Sequence, residues 1–146
     1  MLHAETIAEQ ATPAALASVH AALDRAWAVM NASAMDAPTV RWRDLFRTAV
    51  AEIAANIVRH AYPPSRGARP FELQVLIYDD RLVAQFVDHG VAWDPGCEPI
   101  APDPLDLPEG GLGLAVARGA LDELTYRREP DGTNVWRLLK WITPAP

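Results

Sequence analysis

At 146 residues, half of them hydrophobic, the chain is long enough for one domain with a substantial core and too short for two comfortable ones. Its formal net charge of −6 argues against a general binder of nucleic acid or of membrane surfaces, whose electrostatic footprint is basic. The single cysteine, Cys97, excludes a disulfide framework and a cysteine-based zinc site, and reads as an ordinary loop thiol.

The amino terminus carries Glu5 and Glu9 with no basic start, so it lacks the look of a secretory signal, and no run approaches a membrane span. A cytoplasmic protein is expected. Residues His3 to Gln10 alternate loosely and predict a first strand. Pro13 opens a helix reaching about Met30, with Leu16, Val19, Leu23, Trp27 and Met30 at helical spacing, and the small residues and proline of 31–38 break it. A second helix is expected from Thr39 to Tyr62, ended by Pro63 and Pro64. Phe71 to Tyr78 and Leu82 to Asp88 predict a strand pair joined by Asp79, Asp80 and Arg81. In the second strand the period of two puts Leu82, Ala84, Phe86 and Asp88 on one face, so a carboxylate ends an apolar row.

Five prolines between Asp94 and Glu109 rule out helix and central strand there and predict a long lid-like loop. Gly110, Gly111 and Gly113 then lead into a third helix, Leu114 to about Leu121. Two final strands, Leu124 to Glu129 and Thr133 to Ile142, flank the turn Pro130-Asp131-Gly132. Hairpin-paired strands with grouped helices point to an α+β, two-layer α/β sandwich: a mixed, mostly antiparallel sheet covered on one face by three helices.

The second helix poses a burial problem. With Leu45 taken as zero, Trp42, Ala49, Ile53, Ile57 and Val50 span an arc from about 40° to 140°. Glu52, Asn56 and His60 fall beside or within it, at about −20°, 20° and 60°. A polar group held out of water without a partner costs about 1–3 kcal/mol, so these side chains need protein or ligand partners. His60 alone reads best as a packing histidine. The glycines before the third helix form a possible anion site, because a helix amino terminus presents unpaired N–H groups. A flexible helix entry explains them equally well in isolation.

In order along the chain, Glu52-x-x-x-Asn56, Asp88-x-Gly90, Gly111-x-Gly113 and Gly132-Thr133 together resemble the ATP-binding domain of the GHKL superfamily, the Bergerat ATPase fold. The phrases AVAEIAANIVRHAYPP, FVDHGVAWDP and GGLGLAVARGALDELTYRREPDGTNVWRL look most like its serine-kinase anti-sigma regulatory factors. The resemblance spans nearly the whole chain and implies ATP and Mg²⁺ as cofactors. It makes Asn56 the magnesium ligand and Glu52 the general base toward an attacking hydroxyl. Asp88 would accept the adenine amino group, Gly90 would let the backbone pass the base, and Thr133 would support Asp88 and the adenine. Gly111 and Gly113 would bracket the phosphates.

The implied partners are a sigma factor and an anti-anti-sigma protein of the STAS type, with a homodimer by analogy. Two positions depart from the pattern. Ala92 stands at the second glycine of Asp-x-Gly-x-Gly, and Glu109-Gly110 replaces a frequent Gly-Arg. A protein serine/threonine kinase is the leading expectation, and a non-catalytic, nucleotide-dependent module that sequesters a regulator is the alternative. A histidine kinase catalytic piece ranks last, since His3, His20, His60 and His89 sit in no phosphoacceptor context.

Overall fold

Alternation sets the first strand. In β1 (His3–Gln10) His3, Glu5, Ile7 and Glu9 are half-buried and the residues between them exposed, as befits an edge strand with one face on a core. The computed structural model describes residues 2–31, 37–63, 67, 69–93 and 111–142. The lid-like loop expected at 94–109, with Cys97 and Glu109, lies outside them.

The remaining elements follow in chain order: α1 (Ala15–Asn31), α2 (Ala37–Asn56) with a π-helical segment Ile57–Ala61, β2 (Pro70–Ile77), β3 (Arg81–Asp88), α3 (Gly111–Ala120), β4 (Glu123–Arg128) and β5 (Asn134–Trp141). The strands form one sheet in the order β1-β2-β3-β5-β4, and every pairing is antiparallel. The mixed sheet expected from the sequence is therefore wholly antiparallel among the described residues. Two hairpins account for β2–β3 and β4–β5, and the turn of the second is built as its residues dictate. Gly132 takes φ 90° and its N–H donates to Glu129 O at 3.0 Å, while Asp131 Oδ1 accepts from Thr133 N at 3.0 Å. The Thr133 amide holds the Asp131 carboxyl below its usual range.

Register sorts the two faces of the sheet. One cross-strand row runs Ile7, Leu73, Phe86, Trp136, Tyr126, and beside it lie Val75, Ala84 and Leu138. These pack under Val19, Leu23 and Met30 of α1, Phe46, Val50 and Ile53 of α2, and Ala117 of α3, in one core cluster. The next row, Thr6, Gln74, Gln85, Arg137, Thr125, is polar and lies on the opposite face, away from the three helices described. Arg25 of α1 ties down the edge strand with a 2.9 Å bond to Glu5, which holds that carboxyl below its usual range.

In α2 the buried stripe is Phe46, Ala49, Val50, Ile53, Ala54 and Ile57, and Leu45 is 43% exposed. Glu52 and Asn56 are half-buried on the flank, whereas His60 is exposed. The packing role expected of His60 is thus corrected. It assumed regular α-helix to Tyr62, but the chain widens to i→i+5 bonding after Asn56, which slows the rotation per residue and turns His60 outward.

Candidate functional site

The apolar row of β3 ends on Asp88, which is 1% exposed, and the β3–β5 register places Asn134, also 1% exposed, directly opposite. They are the two buried polar residues among those described. Asp88 Oδ1 accepts from Gly90 N at 2.9 Å and from Asn134 Nδ2 at 2.8 Å. Both of these bonds fall on one oxygen, so among the described residues Oδ2 keeps acceptor capacity for a further donor. A buried acceptor of this kind fits an exocyclic amino group, such as that of adenine.

Gly90 sits where no side chain fits. A Cβ there would lie 2.1 Å from Ala61 O and 2.6 Å from Ala61 C, both backbone atoms. The reason for glycine is therefore the end of the second helix as it presses on the end of β3. Two bonds complete the junction: Val91 N donates to Ala61 O at 2.7 Å, and His89 N donates to the Tyr62 hydroxyl at 2.9 Å. The helix that carries Glu52 and Asn56 is thus fastened to the loop after Asp88.

Tyr62 is central to that fastening, since its hydroxyl also donates to Pro70 O at 2.9 Å. Burial raises its pKa above the usual 10.0, with the His89 N–H acting in the opposite sense. A group whose folded pKa is raised contributes stability that is fully present below pH 10.0 and is lost as pH climbs through the folded value. Tyr62→Phe should cost about 1–2 kcal/mol near neutral pH through the lost hydrogen bonds. It should also flatten the alkaline fall in stability, and urea unfolding from pH 8 to 11 reads both effects.

Thr133 does not take the place expected of it beside Asp88. Strand parity puts Asn134 on the Asp88 face, and the Thr133 hydroxyl lies instead 3.4 Å from His89 Nδ1. Asn134 in turn accepts from Tyr126 OH at 2.6 Å and from Arg128 Nη1 at 2.9 Å. Asn134, Tyr126, Arg128 and Tyr62 were all missed in the sequence. The one signal for Asn134 was the hairpin turn at 130–132, which sets the register once its residues are counted.

Glu52 and Asn56 stand one helical turn apart, and neither side chain is hydrogen-bonded to the described residues. Their flank position lets water or a ligand satisfy them. Gly111 and Gly113 belong to the first turn of α3, so the helix begins three residues earlier than expected, and α3 packs along α2. Among the described residues no group of three or more His, Cys, Asp or Glu side chains could hold a metal ion. A carboxamide with phosphate oxygens and water is nonetheless a coordination that Mg²⁺ accepts. Among the described residues, too, no helix is long and apolar enough to cross a membrane.

A family model described as Histidine kinase-like ATPase domain matches residues 12–138. The chain is similar to Serine-protein kinase RsbW of Staphylococcus aureus, 30% identical over 94 residues that cover 60% of this chain and 59% of the relative. It is 25% identical over 108 residues to Anti-sigma F factor of Caldanaerobacter subterraneus subsp. tengcongensis, covering 72% of this chain and 74% of the relative. With Serine-protein kinase RsbW of Staphylococcus epidermidis it shares 31% identity over 103 residues, 66% and 64% of the two chains. The matched stretch thus spans 59% of the length of the S. aureus relative.

Proposed function

Because the chain belongs to the histidine kinase-like ATPase domain family, we propose that it is an ATP-binding anti-sigma regulatory factor that phosphorylates a serine or threonine of an anti-anti-sigma partner. The observation that carries the nucleotide reading is the buried Asp88, held on Oδ1 by Gly90 and Asn134 with Oδ2 left to accept an amino group. The names of the relatives, serine-protein kinase and anti-sigma F factor, support the kinase and regulatory halves.

In this reading Asp88 receives the adenine amino group and Gly90 shapes the floor beneath the base. The N–H groups of Gly111 and Gly113, in the first turn of α3, bind phosphate oxygens. Thr133, at the rim near His89, lines the base side of the site. Asn56 would hold Mg²⁺, which would neutralise phosphate charge and orient the phosphoryl group. Glu52, one turn before Asn56, takes the proton from the attacking hydroxyl. The partners are a sigma factor and a STAS-type protein, the chain works as a single domain and as a homodimer, and its compartment is the cytoplasm.

A second reading keeps ATP binding without turnover, and the departure at Glu109-Gly110 favours it, since the arginine frequent there in the resembling kinases would offset charge on a phosphoryl group in transfer. Incubating the protein with Mg-ATP and a candidate anti-anti-sigma protein, then searching for phosphoserine and phosphothreonine by mass spectrometry, separates the two. Phosphorylation supports the kinase; ATP-dependent capture without it supports the sequestering module. Beneath both lies a simpler expectation. Mg-ATP at about 100 times its dissociation constant should add about 2.7 kcal/mol of stability. A thermal scan reads this as an upward shift of about 8–12 °C for a domain of this size, and no shift would defeat the nucleotide reading.

A further inference from the structure

Every polar atom of the Asn134 carboxamide is committed. Its Oδ1 accepts from Tyr126 OH at 2.6 Å and Arg128 Nη1 at 2.9 Å. Its Nδ2 reaches Asp88 Oδ1 at 2.8 Å, Gly90 O at 3.1 Å and Val91 O at 3.2 Å. Two donors converge on the oxygen, and three acceptors crowd the NH₂. Turned over, the amide would press its oxygen against a carboxylate and two carbonyls and aim its N–H groups at a guanidinium. The surroundings therefore allow one orientation.

The clamp has its own supports. Tyr126 OH, having given its proton to Asn134, accepts from Trp93 N at 3.0 Å, and its ring packs against Trp93 and Trp136 at centroid distances of 5.8 and 4.7 Å. Arg128 Nη1 also donates to Gly90 O at 3.1 Å. Tyr126 and Arg128 come from β4, Asn134 from β5 and Asp88 from β3, so three neighbouring strands share one network.

We propose that Asn134, locked by Tyr126 and Arg128, is a positioning residue that holds Asp88 by Oδ1, leaves Oδ2 as the acceptor for a ligand, and so selects a base bearing an amino group over one bearing a carbonyl oxygen at the same ring position. The proposal rests on the nucleotide reading above and adds the source of its selectivity. Because Asn134 Nδ2 and Gly90 N both donate to Oδ1, the carboxyl group is held in one orientation, and Oδ2 is the oxygen left to meet a donor on the ligand. A base that turns a carbonyl toward Oδ2 meets acceptor with acceptor, and a site built for a hydrogen bond rejects such an analogue strongly.

The probes are ADP and IDP, which differ by an amino group against a carbonyl at one ring carbon and by a bare nitrogen against an N–H at the ring position beside it, titrated calorimetrically into the full chain. The wild type should prefer ADP by at least about 100-fold. Asn134→Leu, close in shape and without donors, should reduce the preference to about tenfold or less by weakening ADP while IDP changes little. Asn134→Thr, which returns one hydroxyl donor, should restore part of it. Tyr126→Phe leaves Asn134 in place and releases one side of the clamp, so its preference should fall between those of the wild type and Asn134→Leu. This variant guards against misfolding at position 134. Equal losses for both nucleotides, or an unchanged ratio in Asn134→Leu and Tyr126→Phe, would overturn the positioning role. A wild type that binds ADP and IDP alike would overturn the selection. A wild type that binds neither would overturn the nucleotide reading itself, and the proposal with it.

Discussion

Glu52→Ala is expected to slow phosphoryl transfer to the partner hydroxyl by about 10²–10⁴-fold, the usual contribution of a positioned general base, with nucleotide affinity retained. The expectation rests on the placement of the side chain. Glu52 lies on the flank of α2, half-buried, one turn before Asn56 and without a hydrogen bond to the described residues, so it is free to meet a substrate. Binding and chemistry divide between elements here. The base contacts proposed for Asp88 come from β3, so truncating Glu52 leaves them whole. Single-turnover transfer with saturating Mg-ATP, beside an ADP titration, reads the two effects apart. Unchanged transfer would remove Glu52 from the base role, and a parallel loss of ADP binding would assign it to structure instead.

Gly90→Ala is the second large effect, on stability. The added Cβ would stand 2.1, 2.6 and 2.8 Å from the O, C and Cβ of Ala61, so the backbone at the end of the second helix must move. Overpacking against backbone belongs at the top of the usual range, about 3 kcal/mol, or about 10 °C in melting temperature for this length. The shift would also strain the Val91 to Ala61 bond and the bond from Gly90 N to Asp88. Nucleotide binding should therefore weaken along with stability. Gly119→Ala is the internal control. Gly119 lies inside α3 with nothing within 4 Å of a built Cβ, so alanine there should stabilise by about 0.5–1 kcal/mol through helix propensity. Calorimetric melting of both variants should move in opposite directions, and equal shifts would contradict the contact at Ala61.

Much of the site was legible because its signals are local. Asp88 ends an alternating apolar row, and a period of two can be counted along a single strand. Glu52 and Asn56 stand on the edge of a helical stripe for the same kind of reason, and the structure leaves both half-buried where the periodicity had put them. The roles given to them are another matter, and they rest on the experiments above. His60 failed because one wide turn near a helix end changes the phase, and no spacing rule foresees a π segment.

What the sequence determined by itself is the set of elements and the faces they present, since propensity, periodicity and turn chemistry act over a few residues. Strand β1 shows in its alternation, the β4–β5 turn is dictated by Pro130, Asp131 and Gly132, and Asp88 is aimed inward by parity. Only the tertiary structure decided that β5 lies between β3 and β4, and hence that Asn134 stands opposite Asp88, 46 residues away in the chain. It also decided that Gly90 meets Ala61, and that Tyr62 joins the second helix to β2 and β3. Those contacts depend on register and on strand order across the sheet. A one-residue slip in either would exchange Asn134 for Thr133 and turn the clamp away from the carboxylate it holds.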